Sequence, residues 1–134
     1  MESSSIVVDS SAIVAILLLE TGFERIEKAI ATADKILMSA SSKLETCIVM
    51  AKKSTFEAAD MAEVETLLRL TIVPFSNTHA DCARDAFLRF GKGRHRAALN
   101  FGDCQTYATA KLAGLPLLFT GNDFSLTDLE VVDI

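Results

Sequence analysis

The sequence contains little cysteine, proline or glycine. Its 134 residues include three cysteines, two prolines and six glycines. Cys47, Cys82 and Cys104 lie far apart and form no C-x-x-C pair, which argues against a disulfide framework and against a zinc site. Because proline and glycine are sparse, no flexible linker is predicted, and we expect residues 1–134 to form a single domain.

Long hydrophobic stretches are also missing. The longest apolar run covers residues 12–19, whereas a membrane-spanning helix needs about 20 apolar residues. The first five residues, MESSS, lack the positive charge that begins a secretory signal peptide. We therefore expect a cytoplasmic protein with no membrane partner.

The composition is that of a folded protein with unevenly distributed charge. Hydrophobic residues make up 50% of the chain, which excludes intrinsic disorder. The net charge of -5 argues weakly against nucleic-acid binding, which needs a cationic surface. Residues 84–96, however, contain five basic residues and one acidic residue. Local charge matters more than the total, so this segment is a candidate contact for phosphates.

Short apolar strands alternate with helical segments along the chain. Apolar runs predict strands at residues 6–8, 35–39, 72–75 and 117–119, with a weak fifth strand at 131–132. Helices are predicted at residues 10–20, 23–33, 42–53, 57–70, 77–90 and 103–113. This alternation is typical of an α/β fold, a parallel sheet of about five strands with helices on both faces.

Four acidic residues stand at the ends of these elements. Asp9 directly follows a predicted strand, and Asp123 follows another after the three residues 120–122. Glu45 lies in the first turn of a predicted helix, and Asp103 lies at the start of another. Ligands of open α/β sheets bind in the crevice outside the carboxyl ends of the strands. We therefore expect the four carboxylates to converge on one rim of the sheet.

Each acid also has a purely structural interpretation. Asp9 and Asp103 are candidate helix N-caps. Glu45 matches the third position of a capping box with Ser42, and Asp123 fits a turn. Serine or asparagine would serve as well in a capping position, yet all four positions carry a carboxylate.

A divalent cation would explain why four carboxylates share one rim. Ionised acids repel one another unless a counter-charge is present. An all-oxygen ligand set suits Mg²⁺ or Mn²⁺, and such an ion can activate water and stabilise a leaving oxygen in phosphodiester hydrolysis. The basic loop contributes Lys92, Arg94 and Arg96, which are either RNA contacts or simply solvated side chains. Together the acids and this loop are typical of a nuclease.

Five segments, in this order, resemble a known family. They are residues 6–12 (IVVDSSA), 39–46 (SASSKLET), 90–95 (FGKGRH), 99–104 (LNFGDC) and 118–124 (LFTGNDF). They span nearly the whole chain, and together they resemble the PIN-domain ribonuclease toxins of the VapC type. The resemblance implies a PIN fold and a Mg²⁺- or Mn²⁺-dependent endoribonuclease. It further implies a toxin that forms a homodimer and is covered by a VapB-type antitoxin.

The same resemblance assigns roles to individual residues. Asp9, Glu45, Asp103 and Asp123 match the family's metal-binding acids. Two hydroxyl residues, Ser11 and Thr120, match supporting positions within the acidic cluster. The basic loop, with Lys92, Arg94, His95 and Arg96, is expected to contact RNA. This loop departs from the family pattern, because Arg96 stands where many relatives have proline and Ala98 where glycine is common.

Two other functions remain open at this point. A catalytically inactive PIN-like module would bind RNA or protein without cutting. A phosphatase-like or receiver-like domain would use Asp9 as a phosphate acceptor, but Asp9 is followed by Ser10 and Ser11 rather than by the D-x-D pattern of such phosphatases. His95 is a poor candidate for a general base, since a metal-bound hydroxide makes one unnecessary.

Overall fold

A computed structural model describes residues 4–134 and shows a parallel four-stranded sheet. Residues 1–3, part of the N-terminal segment considered above for a signal peptide, lie outside the described residues. The strands are β1 (Ile6–Val8), β2 (Ile36–Ser39), β3 (Leu70–Val73) and β4 (Leu117–Leu118). Their order is β3-β2-β1-β4, and all pairs are parallel. The predicted α/β architecture is thus confirmed.

The predicted fifth strand is not formed. Val131 makes only an isolated parallel bridge to Leu117. The Leu117 N–H donates to the Glu130 carbonyl, and the Val132 N–H donates to the Leu117 carbonyl. Because Leu117 is the one residue of two-residue β4 that bonds to this segment, the ladder does not extend into a strand.

Helices cover both faces of the sheet. They are α1 (Ser10–Leu17), α2 (Phe23–Thr32), α3 (Ala40–Lys53), α4 (Ala58–Leu67), α5 (Asn77–Phe90) and α6 (Phe101–Ala113), followed by a 3-10 turn at Phe124–Leu126. Side chains of β1 alternate between two hydrophobic clusters, because successive residues of a strand point to opposite faces. Ile6 and Val8 pack in one cluster, and Val7 packs in the other with Tyr107. No helix within residues 4–134 is long and apolar enough to cross a membrane.

Candidate active site

Asp9 lies at the carboxyl end of β1 and is almost completely buried, with 5% of its surface exposed. It is the N-cap of α1, since its Oδ2 accepts a hydrogen bond from the Ser11 N–H at 3.1 Å. Its other oxygen, Oδ1, accepts from the Thr106 hydroxyl on α6 at 2.7 Å. The capping interpretation is therefore correct for Asp9. Capping accounts for the Asp9 Oδ2 atom and Thr106 for Oδ1. Neither contact supplies the positive charge that a buried carboxylate needs.

Glu45 lies on α3, but not in the capping box predicted with Ser42. The helix begins at Ala40, because Ser39 at the end of β2 is its N-cap and accepts from the Ser41 N–H at 3.2 Å. Glu45 is thus in the second turn and not in the first. Its Oε1 accepts a hydrogen bond from the Ser10 hydroxyl at 2.5 Å.

The Glu45 carboxylate also packs against the backbone of α6. A methyl group placed on Gly102 would come within 2.5 Å of the Glu45 Oε2 atom. The absence of a side chain at Gly102 therefore gives this carboxylate the space it occupies, one residue before Asp103.

Asp103 lies in the first turn of α6 but is not its N-cap. Asn100 has that role: its side chain accepts from the Asp103 N–H at 2.8 Å, and the Asp103 carboxylate accepts from the Asn100 N–H at 3.0 Å. Burial, followed by the negative charges of Asp9, Asp123 and Glu45, raises the pKa of the Asp103 carboxyl to about 6, in spite of this backbone hydrogen bond. The four acids thus share one electrostatic environment, although they come from distant segments.

Asp123 is the most loosely held of the four acids. It is exposed and directly precedes the turn at Phe124–Leu126. Nearby, the Thr120 backbone N–H donates to the Ser11 hydroxyl at 3.0 Å, which joins the end of β4 to the start of α1. Ser11 and Thr120 were predicted to support the acids through their hydroxyl groups. In the structure Ser11 donates its backbone N–H to Asp9, and Thr120 donates its backbone N–H to the Ser11 hydroxyl.

The hydroxyl groups that do contact the acids were missed in the sequence. Ser10 donates to Glu45, and Thr106 donates to Asp9. The Ser42 hydroxyl lies 3.1 Å from that of Thr106 and extends this network. One signal was available, because Thr106 follows Asp103 by three residues and residues at that spacing share one face of a helix.

The acidic rim, the edge of the sheet that carries Asp9, Glu45, Asp103 and Asp123, has no cationic partner among residues 4–134. Across residues 4–134, no lysine, arginine or histidine nitrogen lies within ion-pair distance of the four carboxylates. Over the same residues, no group of three or more His, Cys, Asp or Glu side chains is placed to hold a metal ion. Mg²⁺ keeps several of its waters and is often bound by one or two carboxylates. The oxygen-only donors and their uncompensated charge therefore fit a hydrated hard cation.

The basic loop between α5 and α6 is held by its own contacts. The Arg94 guanidinium lies 5.5 Å from the centre of the Phe87 ring. The His95 ring meets Phe90 edge-on at 5.2 Å, and its Nδ1 accepts from the Ala97 N–H at 3.0 Å. Lys92 and Arg96 are exposed and make no ion pair within the described part of the chain.

Ala98 of this loop has a left-handed backbone conformation, with φ of 53°. We expect Ala98→Gly to raise the free energy of unfolding by about 0.5–1 kcal/mol, because glycine adopts this conformation without steric cost and the exposed methyl group packs little. Urea unfolding would measure the change. The control is Ala62→Gly, at an exposed position inside α4, which should lower the same free energy by about 1 kcal/mol. Equal destabilisation by both glycines would contradict the prediction.

Comparisons with known proteins show which family this chain matches. Residues 6–129 match the family model of the PIN domain. A ribonuclease VapC of Mycolicibacterium smegmatis is 46% identical over 129 residues, covering 94% of this chain and 98% of the relative. Ribonuclease VapC36 of Mycobacterium tuberculosis is 45% identical over 126 residues, covering 92% of this chain and 91% of the relative.

Solved structures show the same fold at lower sequence identity. Mycobacterium tuberculosis VapC20, described as a sarcin-ricin loop cleaving toxin, superposes with a TM-score of 0.76 at 15% identity and covers 96% of this chain and 99% of its own. A toxin-antitoxin complex from Klebsiella pneumoniae gives a TM-score of 0.70 at 17% identity, with coverage of 95% and 96%.

The fold and the site define a class of protein, namely a parallel α/β domain with an acidic rim at the carboxyl edge of its sheet. The chain belongs to the PIN domain family and, within it, to the VapC ribonucleases. It is therefore an endoribonuclease, and the phosphatase-like and receiver-like interpretations no longer apply.

Proposed function

We propose that Asp9, Glu45, Asp103 and Asp123 together hold the divalent cation, Mg²⁺ or Mn²⁺, with which this ribonuclease cuts RNA. The observation that carries the proposal is the uncompensated charge of the rim. Asp9 is buried without a cationic partner among the described residues. The negative charges of Asp9, Asp123 and Glu45 all raise the pKa of the Asp103 carboxyl. Such an arrangement is costly unless a cation neutralises it.

Different residues of the chain would serve different parts of the cleavage reaction. A bound divalent cation supplies a Lewis acid for the phosphodiester and lowers the pKa of a water molecule. Thr106 and Ser11 fix both oxygens of Asp9, and Ser10 fixes Glu45, so these ligands are oriented before an ion binds. Asp123 is more exposed and is suited to complete the site through water.

The basic loop is suited to hold the RNA backbone beside the acids. Lys92, Arg94 and Arg96 carry the positive charge, which binds phosphates regardless of sequence, and His95 lies among them. His95 is already engaged with Phe90 and Ala97. This supports a positioning role for His95 in the loop, and not a role as a general base.

We further propose that the protein acts as the toxin of a toxin-antitoxin pair in the cytoplasm. Solved structures with this fold include VapBC complexes from Haemophilus influenzae and Salmonella typhimurium. By the same reasoning a VapB-type antitoxin would cover the acidic rim of this chain, and two copies of the chain would form a homodimer. The described residues expose large apolar side chains that such contacts would bury, among them Leu44, Ile48 and Leu67.

Removal of the metal tests the proposed site. We expect purified protein to cut total RNA in the presence of Mg²⁺ or Mn²⁺, to lose cleavage when EDTA is in excess, and to regain it when Mn²⁺ is restored. A thermal melt in EDTA would control for unfolding. Undiminished cleavage in EDTA would contradict the metal site. Absence of cleavage with either ion, together with no Mn²⁺ binding in calorimetry at millimolar concentration, would favour the inactive alternative, which nothing in the comparisons supports.

A further inference from the structure

An apolar groove lies between α5 and α6. Its volume is about 390 Å³, and its lining includes Phe75, Phe87, Phe101, Arg84 and Gln105. We call it the aromatic groove. Phe101 and Asp103 both lie in the first turn of α6, but residues two apart point to different sides of a helix. The groove and the acidic rim are therefore on different sides of α6 and share its N-terminal end.

Two phenylalanines of the aromatic groove are unusually accessible. Phe101 has 82% of its surface exposed and Phe87 has 41%. A phenylalanine at the first position of a helix contributes little to the core when it is this exposed. Its ring is therefore free to contact a ligand that lies across the start of α6.

The groove is bordered by positive charge. Arg84 is part of its lining, and the guanidinium of Arg94 lies over the ring of Phe87 at 5.5 Å. No aspartate or glutamate of the described chain belongs to the lining. The whole chain has a net charge of -5, so the groove is a region of locally positive charge. Arg94 belongs to the basic loop, which therefore reaches the edge of the groove.

We propose that the aromatic groove binds an unpaired base of the RNA strand that is cut at the acidic rim. The inference rests on the proposed function and names how the substrate is held. Single-stranded RNA is recognised by stacking unpaired bases on aromatic rings and arginine planes, while cationic side chains contact the backbone. Phe101 and Phe87 provide the rings, and Arg84 and Arg94 provide the charge.

The chemistry of the lining favours RNA over an apolar protein segment. An amphipathic helix would use the apolar floor of the groove, but it would engage the guanidinium groups at the edge only through acidic side chains of its own. In a nucleic acid, flat bases alternate with negatively charged phosphates. The bases can stack on the phenylalanine rings while the arginines next to these rings contact the phosphates. A base paired within a duplex keeps its faces stacked on its neighbours, so the groove selects RNA that is unpaired next to the cut.

Binding measured without cleavage tests the proposal. In EDTA, a short single-stranded RNA carrying one 2-aminopurine should bind with quenched fluorescence, and Phe101→Ala should weaken the affinity about tenfold and abolish the quenching. Phe101→Leu, which keeps an apolar side chain but removes the ring, should resemble Phe101→Ala. The matched control is Leu112→Ala, an exposed apolar position farther along α6 and outside the groove, which should bind as wild type does. A fully paired RNA of the same sequence should compete poorly.

The outcomes separate this proposal from the proposed function. Wild-type affinity and quenching in Phe101→Ala, in a sample whose thermal melt is unchanged, would overturn base binding. The same result combined with loss of self-association or of binding to an antitoxin helix would assign the groove to a protein partner, and would also overturn it. If the wild type quenches the probe through Phe101 but cuts no RNA with metal, the groove assignment stands while the proposed metal chemistry fails.

Discussion

Asp9→Asn should lower the rate of RNA cleavage by about a thousandfold and leave the fold intact. Asparagine removes the negative charge that attracts a divalent cation, and such an ion contributes several kcal/mol to the transition state. It preserves the structural role, because asparagine is an equally good N-cap for α1 and its carbonyl oxygen can still accept a hydrogen bond. The cleavage rate at saturating Mn²⁺ and the thermal melt, taken on the same sample, measure the two effects.

Asp34→Asn is the matched control for Asp9→Asn. Asp34 lies just before β2, at the amino edge of the sheet, opposite to the acidic rim. Its carboxylate accepts a hydrogen bond from the Ser4 N–H, as Asp9 accepts one from Ser11. The control therefore makes the same change of charge and should retain wild-type cleavage. Equal activity of Asp9→Asn and Asp34→Asn would refute the metal-site assignment.

The placement of Asp9 and Asp123 at one edge of the sheet could be foreseen because parallel strands align their carboxyl ends. Asp9 follows β1, Asp123 follows β4 within a short turn, and β1 pairs with β4 in the sheet. The alternation of apolar runs and helices was sufficient for that inference. What it could not supply was the distance between side chains. In the structure the charges of Asp9, Glu45 and Asp123 raise the pKa of the Asp103 carboxyl, yet among the described residues no three acids are placed to hold a metal ion.

The start of α3 could not be read reliably from local patterns. Residues 39–42 (SASS) offer several N-cap candidates, and the capping-box pattern selects Ser42. The structure selects Ser39, because Ser39 pairs with Val73 as the last residue of β2 and the helix begins at once. Sheet pairing is a long-range interaction, so tertiary contacts override the local signal here.

Long-range contacts also explain why the supporting hydroxyls and the groove were missed. Thr106 and Asp9 are 97 residues apart in the chain, and nothing in the neighbourhood of either predicts their hydrogen bond. The aromatic groove likewise joins Phe75, Phe87 and Phe101 from different segments. Spacing along a helix identifies residues that share a face, but not what the opposite helix presents to that face.

Gly102→Ala should reduce cleavage while leaving stability almost unchanged. The added methyl group would meet the Glu45 Oε2 atom at 2.5 Å, so the carboxylate must move away. It is the far end of a flexible side chain, and alanine suits a helix better than glycine does. We therefore expect the free energy of unfolding to stay within about 1 kcal/mol of wild type. A displaced ligand that also loses its hydrogen bond to Ser10 should lower the cleavage rate about 10- to 100-fold.

A double-mutant cycle shows whether Gly102 acts through Glu45. Glu45→Gln alone removes the charge and should be strongly impaired. When Gly102→Ala is added to Glu45→Gln, the further loss should be much smaller than in the wild-type background, because the carboxylate that the methyl group displaces no longer exists. Additive losses in cleavage rate would mean that Gly102 acts by another route, such as direct contact with RNA. A fall in stability as large as the fall in activity would instead mean that the methyl group disturbs the packing of α6 against α3.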